Sequence, residues 1–117
     1  MPKASETAAI RFVTREARRA WDRVAPGLRR RGILTDRTAL GLALLCQQVA
    51  QYRLLLEARR RWPADREIPP AIEEARRWAR EGAAEFSLLP MNRIRMGVLT
   101  PRGEDVELLK IFGRPAA

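Results

Sequence analysis

TDRTALGLALLCQQVAQYRLLLEARRRWP, residues 35–63, is the stretch on which the fold turns. Thr35-Asp36 supplies an N-cap and a first-turn acid, and Trp62-Pro63 ends what they begin. The spacing therefore predicts a long helix from Asp36 to about Arg61. Leu42-Ala43-Leu44-Leu45-Cys46 is apolar on nearly every side, more than a lone chain of this size is expected to cover. Val49, Tyr52, Leu55 and Leu56 continue one face, while Gln47, Gln48 and Gln51 soften the other. Arg59-Arg60-Arg61 at the far end reads as positive charge complementing the helix dipole.

Downstream, Ala64 to Pro69 is a short loop, and Pro70 suits the first turn of a second helix. Glu73 and Glu74 sit near its positive end, and Ile72, Ala75, Ala79, Ala83 and Phe86 form an apolar stripe with Trp78 beside it. Small residues at Ala75, Ala79, Gly82 and Ala83 permit close approach to the first long helix. A short loop between two long helices predicts an antiparallel hairpin, about 36–61 against 70–86. Pro90 then opens a short helix ending near Gly97, and residues 100–103 make a turn. DVELLKIF (105–112) reads equally as a short strand or a helical turn, because periodicity does not decide over eight residues.

Upstream, residues 1–5 are a loose start. Ile10, Val13, Ala17, Trp21 and Val24 recur at three- and four-residue spacings, predicting a helix from about Glu6 to Val24. Thr14 is an alternative cap from which that helix would start. Arg11, Arg15, Arg18 and Arg19 lie mostly off the apolar stripe, so the segment is a basic amphipathic helix. Ala25-Pro26-Gly27 is expected to break or kink it, with a turn or two from Leu28 to Arg31 before Gly32 stops the helix. The succession from Trp21 through Gly32 into Asp36 is helix–turn–helix-like. The second helix is nonetheless too apolar to lie with its face in a major groove.

The 117 residues make one ordinary domain with a thin core, which oligomerisation would help. Lys and Arg total 23 against 14 acids, a net charge of +9, and every basic residue except Lys3 and Lys110 is arginine. A GC-rich genome explains arginine in place of lysine; it does not explain the excess charge, which points to a polyanion. Residues 1–31 carry a net +6, residues 32–66 a net +3, and residues 67–117 are balanced. The polyanion-facing part is thus the N-terminal half.

With no His and one Cys, the chain offers no zinc cluster, no His-based triad and no disulfide framework. It has no Gly-rich phosphate loop. Cys46, inside an apolar run, reads as a small buried hydrophobe. Glu73 with Glu74, and Glu81 with Glu85, read as a solvated face partnered by Arg76, Arg77 and Arg80. No enzyme, no metal and no cofactor are expected. There is no run of about 18 apolar residues, and MPKASETAAIRFV lacks a signal peptide's hydrophobic segment, so a soluble cytoplasmic protein without a membrane partner is expected.

Guanidinium groups bind phosphate bidentately and neutralise the backbone, giving affinity with little sequence information. The candidate DNA contacts are Lys3, Arg11, Arg15, Arg18, Arg19, Arg23, Arg29, Arg30 and Arg31. Arg93 and Arg95 either line DNA or pin the short helix to its neighbour. The candidate oligomerisation residues are Leu42, Leu45, Cys46, Val49, Tyr52, Leu56, Ala79 and Phe86.

Several landmarks, in order, resemble the small terminase subunit of tailed bacteriophages, in the group with a Gly-Leu-Thr-Pro-x-x-Arg-like C-terminal signature. A Trp-bearing helix followed by an apolar-Pro turn matches residues 16–28, EARRAWDRVAPGL. Gly32-Ile33-Leu34-Thr35-Asp36 matches the Gly, apolar pair and Thr-Asp cap, and Leu45 to Tyr52 the Cys- and Tyr-bearing stretch. The signature aligns with residues 85–95, EFSLLPMNRIR, with Ser87 in place of the usual Gly and Leu89 in place of Thr.

The resemblance spans roughly residues 14–97. It implies an all-α subunit of a closed homo-oligomeric ring, about nine copies, built from packed helical hairpins. Such a subunit binds viral double-stranded DNA and regulates the ATPase and nuclease of the large terminase subunit in the bacterial cytoplasm during genome packaging. In that layout, residues 1–34 bind DNA, residues 35–97 form the oligomerisation core, and the tail 98–117 contacts the large subunit. The rival reading is a small dimeric DNA-binding regulator of a phage or mobile element; an adaptor that binds no DNA is a third.

Overall fold

The computed structural model describes residues 14–89, 99 and 103–113. Its described residues form four helices and no strand: α1 (Arg15–Arg30), α2 (Ala39–Arg61), α3 (Ile68–Glu85) and α4 (Val106–Phe112). The all-α expectation holds. The expected segment 6–13, the short helix from Pro90 to Gly97, and the candidates Lys3, Arg11, Arg93 and Arg95 lie outside the described residues.

Thr14 is the N-cap of α1, its hydroxyl accepting the Ala17 N–H at 3.1 Å. The expected break at Ala25-Pro26-Gly27 does not occur: α1 runs through Pro26 to Arg30. Pro26 deprives the Asp22 carbonyl of its helical donor, a local cost. The flanking Val24, Ala25 and Leu28 are buried, so packing of a continuous helix outweighs that cost. Gly32 then ends α1 at φ 74°, with the Ile33 N–H on the Leu28 carbonyl at 2.9 Å and the Gly32 N–H on that of Arg29 at 3.0 Å. This is a Schellman motif, in which the left-handed residue is a glycine.

Thr35 does not cap α2, which starts three residues after Asp36. Thr38 occupies the N-cap position without a capping bond. Its hydroxyl accepts the Thr35 N–H at 2.8 Å and donates to the Ile33 carbonyl at 2.9 Å, so it is spent on closing the 33–38 loop.

The hairpin forms as predicted. A Cβ on Gly41 would meet Phe86 at 3.6 Å, and one on Gly82 would meet Leu45 Cδ1 at 2.8 Å. As residue numbers rise along α2 they fall along α3, so the pair is antiparallel. At Gly82 the missing Cβ leaves room for the Leu45 side chain of α2. Pro69 and Pro70 fall in the first turn of α3, where missing N–H groups cost nothing.

One chain covers more of the 42–46 segment than expected. With α1 on one side of α2 and α3 on another, Leu42, Ala43, Leu45 and Cys46 are all buried, and of the five only Leu44 is exposed.

α3 ends in a second Schellman motif: the Leu88 N–H meets the Ala83 carbonyl and the Ser87 N–H that of Ala84, both at 2.9 Å. Ser87 takes the left-handed position at φ 57°, the only non-glycine described residue to do so. The usual glycine of the resembled signature is the residue this geometry favours. Residues 105–112 resolve into helix. Asp105 N-caps α4, and Leu108, Leu109 and Phe112 join the same core as Trp21, Leu28, Tyr52 and Ile72.

Candidate nucleic-acid interface

The buried face of α1 is Ala17, Ala20, Trp21, Val24, Ala25 and Leu28. At about 100° per residue, Arg15, Arg18, Arg19, Arg23, Arg29 and Arg30 fall on the opposite face. All six are exposed, and Arg31 is exposed just past the helix end. From Arg15 to Arg30 the stripe is roughly 22 Å long at 1.5 Å per residue. It carries one acid, Asp22, whose Oδ1 lies 3.4 Å from Arg18 Nε; both side chains are more than 60% exposed, so the pair contributes little. The α1 fold thus groups six of the predicted DNA contacts on one element, with Arg31 at its C-cap.

The eight predicted oligomerisation residues sit elsewhere than at the surface. Leu42, Leu45, Cys46, Val49, Tyr52, Leu56, Ala79 and Phe86 are all buried within the chain, where they join the hairpin to α1 and α4. The apolar side chains that α2 leaves outward are Leu40, Leu44 and Leu54, at 66%, 55% and 43% exposure. At about 100° per residue they share one uncharged face with Gln47 and Gln51.

Burial pushes the Cys46 thiol up to about 12, offset slightly by the Arg53 charge, so it is protonated and unreactive at neutral pH. Burial likewise moves the Tyr52 hydroxyl to about 12. That oxygen accepts the Asp105 backbone N–H at 2.6 Å.

Three arginines are withdrawn from the surface, and the sequence did not announce them. Arg53, Arg76 and Arg80 are buried, at 4%, 8% and 2% exposure. Asp105, fully buried, receives Arg80 Nη1 at 2.5 Å and Arg76 Nε at 3.2 Å on Oδ2, while Oδ1 accepts the Leu108 N–H at 3.3 Å. Arg53 Nη2 donates to the Phe112 and Gly113 carbonyls, placing a cation at the C-terminus of α4. Burial lowers the Arg53 pKa. Arg60 Nη2 adds a 2.8 Å pair with Glu104.

These contacts fix α4 to α2 and α3, and α4 in turn packs against α1. The only available cue was Asp105 preceding an apolar run, the pattern of an N-cap. The expected solvated face of α3 survives at Glu73, Glu74, Arg77, Glu81 and Glu85, all exposed, and fails at Arg76 and Arg80.

α2 is long and apolar enough by composition to cross a membrane, at mean hydropathy 1.2. Half of that span is buried in the chain against α1 and α3, as befits a core helix.

Neither the curated proteins nor the solved structures include a significant match to this chain. A family model described as phage terminase, small subunit, matches residues 17–102, from the first turn of α1 to just before the Asp105 cap. That span exceeds half of the chain, and the chain belongs to the phage terminase small-subunit family.

Proposed function

We propose that this chain is the DNA-engaging, non-catalytic component of a phage packaging motor, and that the arginine face of α1 is its DNA contact. The observation that carries the reading is the separation of faces on α1: arginines outward, the packed face inward. Side chains held on a rigid helix present a fixed array of guanidinium groups, suited to phosphates and poor at reading bases. Arg15, Arg18, Arg19, Arg23, Arg29, Arg30 and Arg31 form the array; Lys3, Arg11, Arg93 and Arg95 are further candidate DNA contacts by residue type alone.

Identical copies assemble into a ring, multiplying the stripe and turning weak phosphate contacts into avid binding. The outward Leu40, Leu44 and Leu54 on α2 support self-association, because a charge-free face of this kind gains by burial. The hairpin residues from Leu42 to Phe86 hold that face in shape. The ring engages double-stranded viral DNA and regulates the large subunit in the host cytoplasm. The C-terminal segment, with Glu107 and Lys110 on α4, makes the contact to that partner.

A salt titration tests the DNA assignment. Replacing Arg15, Arg18 and Arg19 together by Ala is expected to weaken duplex binding and flatten the dependence of log affinity on log salt by about 2.7, at roughly 0.9 per phosphate contact. Unchanged affinity and slope would defeat it. Native mass in moderate salt tests the assembly: one discrete ring-sized species is expected, and a dimer with a palindromic footprint would favour a small regulator instead.

A further inference from the structure

We infer that α2 pairs with α2 of a second copy, antiparallel and two-fold symmetric, with Trp78 of α3 packed beside the axis. The seam is Leu40, Leu44, Gln47, Gln51, Leu54 and Ala58, spaced alternately by four and three residues, as on a helix that packs along its length against another. None of these side chains is buried. From Ala39 to Leu56 the one charged residue of α2 is Arg53, which is buried and turned to α4. An uncharged face of this length, on a chain of net charge +9, suits neither phosphate nor a charged partner. It suits its own copy.

The seam has the same order from either end: two leucines and a glutamine, then a glutamine, a leucine and an alanine. Antiparallel pairing about residue 49 sets Leu44 on Leu54 of the partner subunit and Gln47 on Gln51 of the partner subunit. The glutamine amides then donate and accept across the axis. A slip of one heptad sets them against leucine or alanine, so they fix the register. Arg37 and Arg61, the next positions outward, are exposed and bound the seam.

Trp78 sets the direction. Gly41 lies opposite Phe86 and Leu45 opposite Gly82, so four residues gained on α2 match four lost on α3. One step further puts Trp78 level with Val49, the midpoint of the seam. Trp78 is 52% exposed, on the flank of α3 turned away from Arg76, Arg80 and α4, which is the flank nearer the seam. Antiparallel pairing brings the Trp78 of each copy to one level on one side of the axis, apolar against apolar. Parallel pairing would set it against the charged α1 stripe of the partner. Each face is about 27 Å long and about 10 Å wide. With Trp78 the pair buries on the order of 1,000 Å² in total, the least that a specific contact needs. Both α1 stripes then lie on the side away from Trp78, where one duplex meets two arginine arrays. The inference rests on the self-association proposed above and specifies its contact; a ring built with it contains an even number of copies.

Disulfide trapping in the full-length protein tests the pairing. Leu44→Cys mixed with Leu54→Cys, both at exposed positions, should give a covalent dimer under mild oxidation. Neither variant alone should, because its own thiols lie about 15 Å apart along the seam. Cys46 is buried, so the unaltered chain should stay uncrosslinked on the same gel. Trp78→Ala in both chains should cut the yield roughly threefold or more. Raising NaCl from about 0.1 to about 0.5 M should not, since no charge lies in the contact. A link formed by Leu44→Cys alone, or an unchanged yield with Trp78→Ala, overturns the antiparallel order. Loss of the link at the higher salt overturns it in favour of α1 arginines meeting α3 acids. No link in the mixture overturns the pairing: beside a ring-sized native mass the ring stands on another contact, and beside a monomeric mass the face belongs to a different protein. A ring with an odd number of copies by native mass spectrometry overturns it as well.

Discussion

The Asp105 carboxylate lies 2.5 Å from the Arg80 guanidinium with both side chains buried, joining the start of α4 to α3 across 25 positions of sequence. Removing one partner of such a pair leaves an uncompensated buried charge. Asp105→Ala is therefore expected to destabilise the fold by about 3–5 kcal/mol, read as a lower urea midpoint. Loss of exchange protection in α4 before α3 would accompany it. A change under 1 kcal/mol would mean the cluster is solvated in solution.

Ser87 holds a left-handed backbone at φ 57° in the Schellman motif that ends α3. An L side chain there is strained, and glycine removes the strain at the cost of a more flexible unfolded chain. Ser87→Gly is expected to stabilise the protein by about 0.5–1 kcal/mol, seen as a raised thermal midpoint. A lowered midpoint would show that the serine side chain contributes something the backbone geometry does not reveal.

Gly82 faces Leu45 so closely that an added Cβ would lie 2.8 Å from Cδ1. Leu45 is itself buried, so it has little room to move away. Gly82→Ala should cost about 1–3 kcal/mol by overpacking, in contrast to the gain usual for alanine in a helix. Denaturant melts decide the sign.

Leu44 and Leu45 are neighbours with opposite fates, one exposed and one buried. Leu45→Ala should lower stability by about 2–5 kcal/mol. Leu44→Glu should leave the melting of the isolated chain nearly unchanged and reduce its native mass. If Leu44→Glu left the assembly intact, self-association would have to use another face.

Alkaline pH should destabilise the protein. Cys46 is raised from 9.0 to about 12, and Tyr52 from 10.0 to about 12, both chiefly by burial. Above pH 9 the unfolded thiol ionises while the buried one stays protonated, so the unfolded state binds fewer protons and stability falls with rising pH. The stabilisation of the neutral forms is intact below pH 9 and is lost progressively toward pH 12. Cys46→Ala should flatten the fall most around pH 9, where the thiol titrates ahead of the tyrosine in the unfolded chain. An unchanged slope would place Cys46 in contact with solvent.

How far the sequence was readable follows from what each signal depends on. The hairpin was legible because the apolar spacing of Val49, Tyr52 and Leu56 against Ala75, Ala79 and Ala83 is a property of each segment alone. The arginine face of α1 was legible for the same reason. Pro26 misled because a proline's local preference is strong, while the burial of Val24, Ala25 and Leu28 that overrides it comes from other helices. Arg76 and Arg80 were misread because they carry the residue type and spacing of a solvated face. Nothing local to α3 announces that a carboxylate 25 and 29 positions away will be buried against them.

Local signals along the chain suffice for an all-helical fold, the antiparallel hairpin, the basic face and the membership of a family. Periodicity, capping and charge sign are local and survive without a partner element. Helix packing settles which arginines are solvated and which are core, which leucines of α2 remain outward, and that residues 106–112 are helix rather than strand. Those outcomes rest on burial, and burial is set by which helices meet.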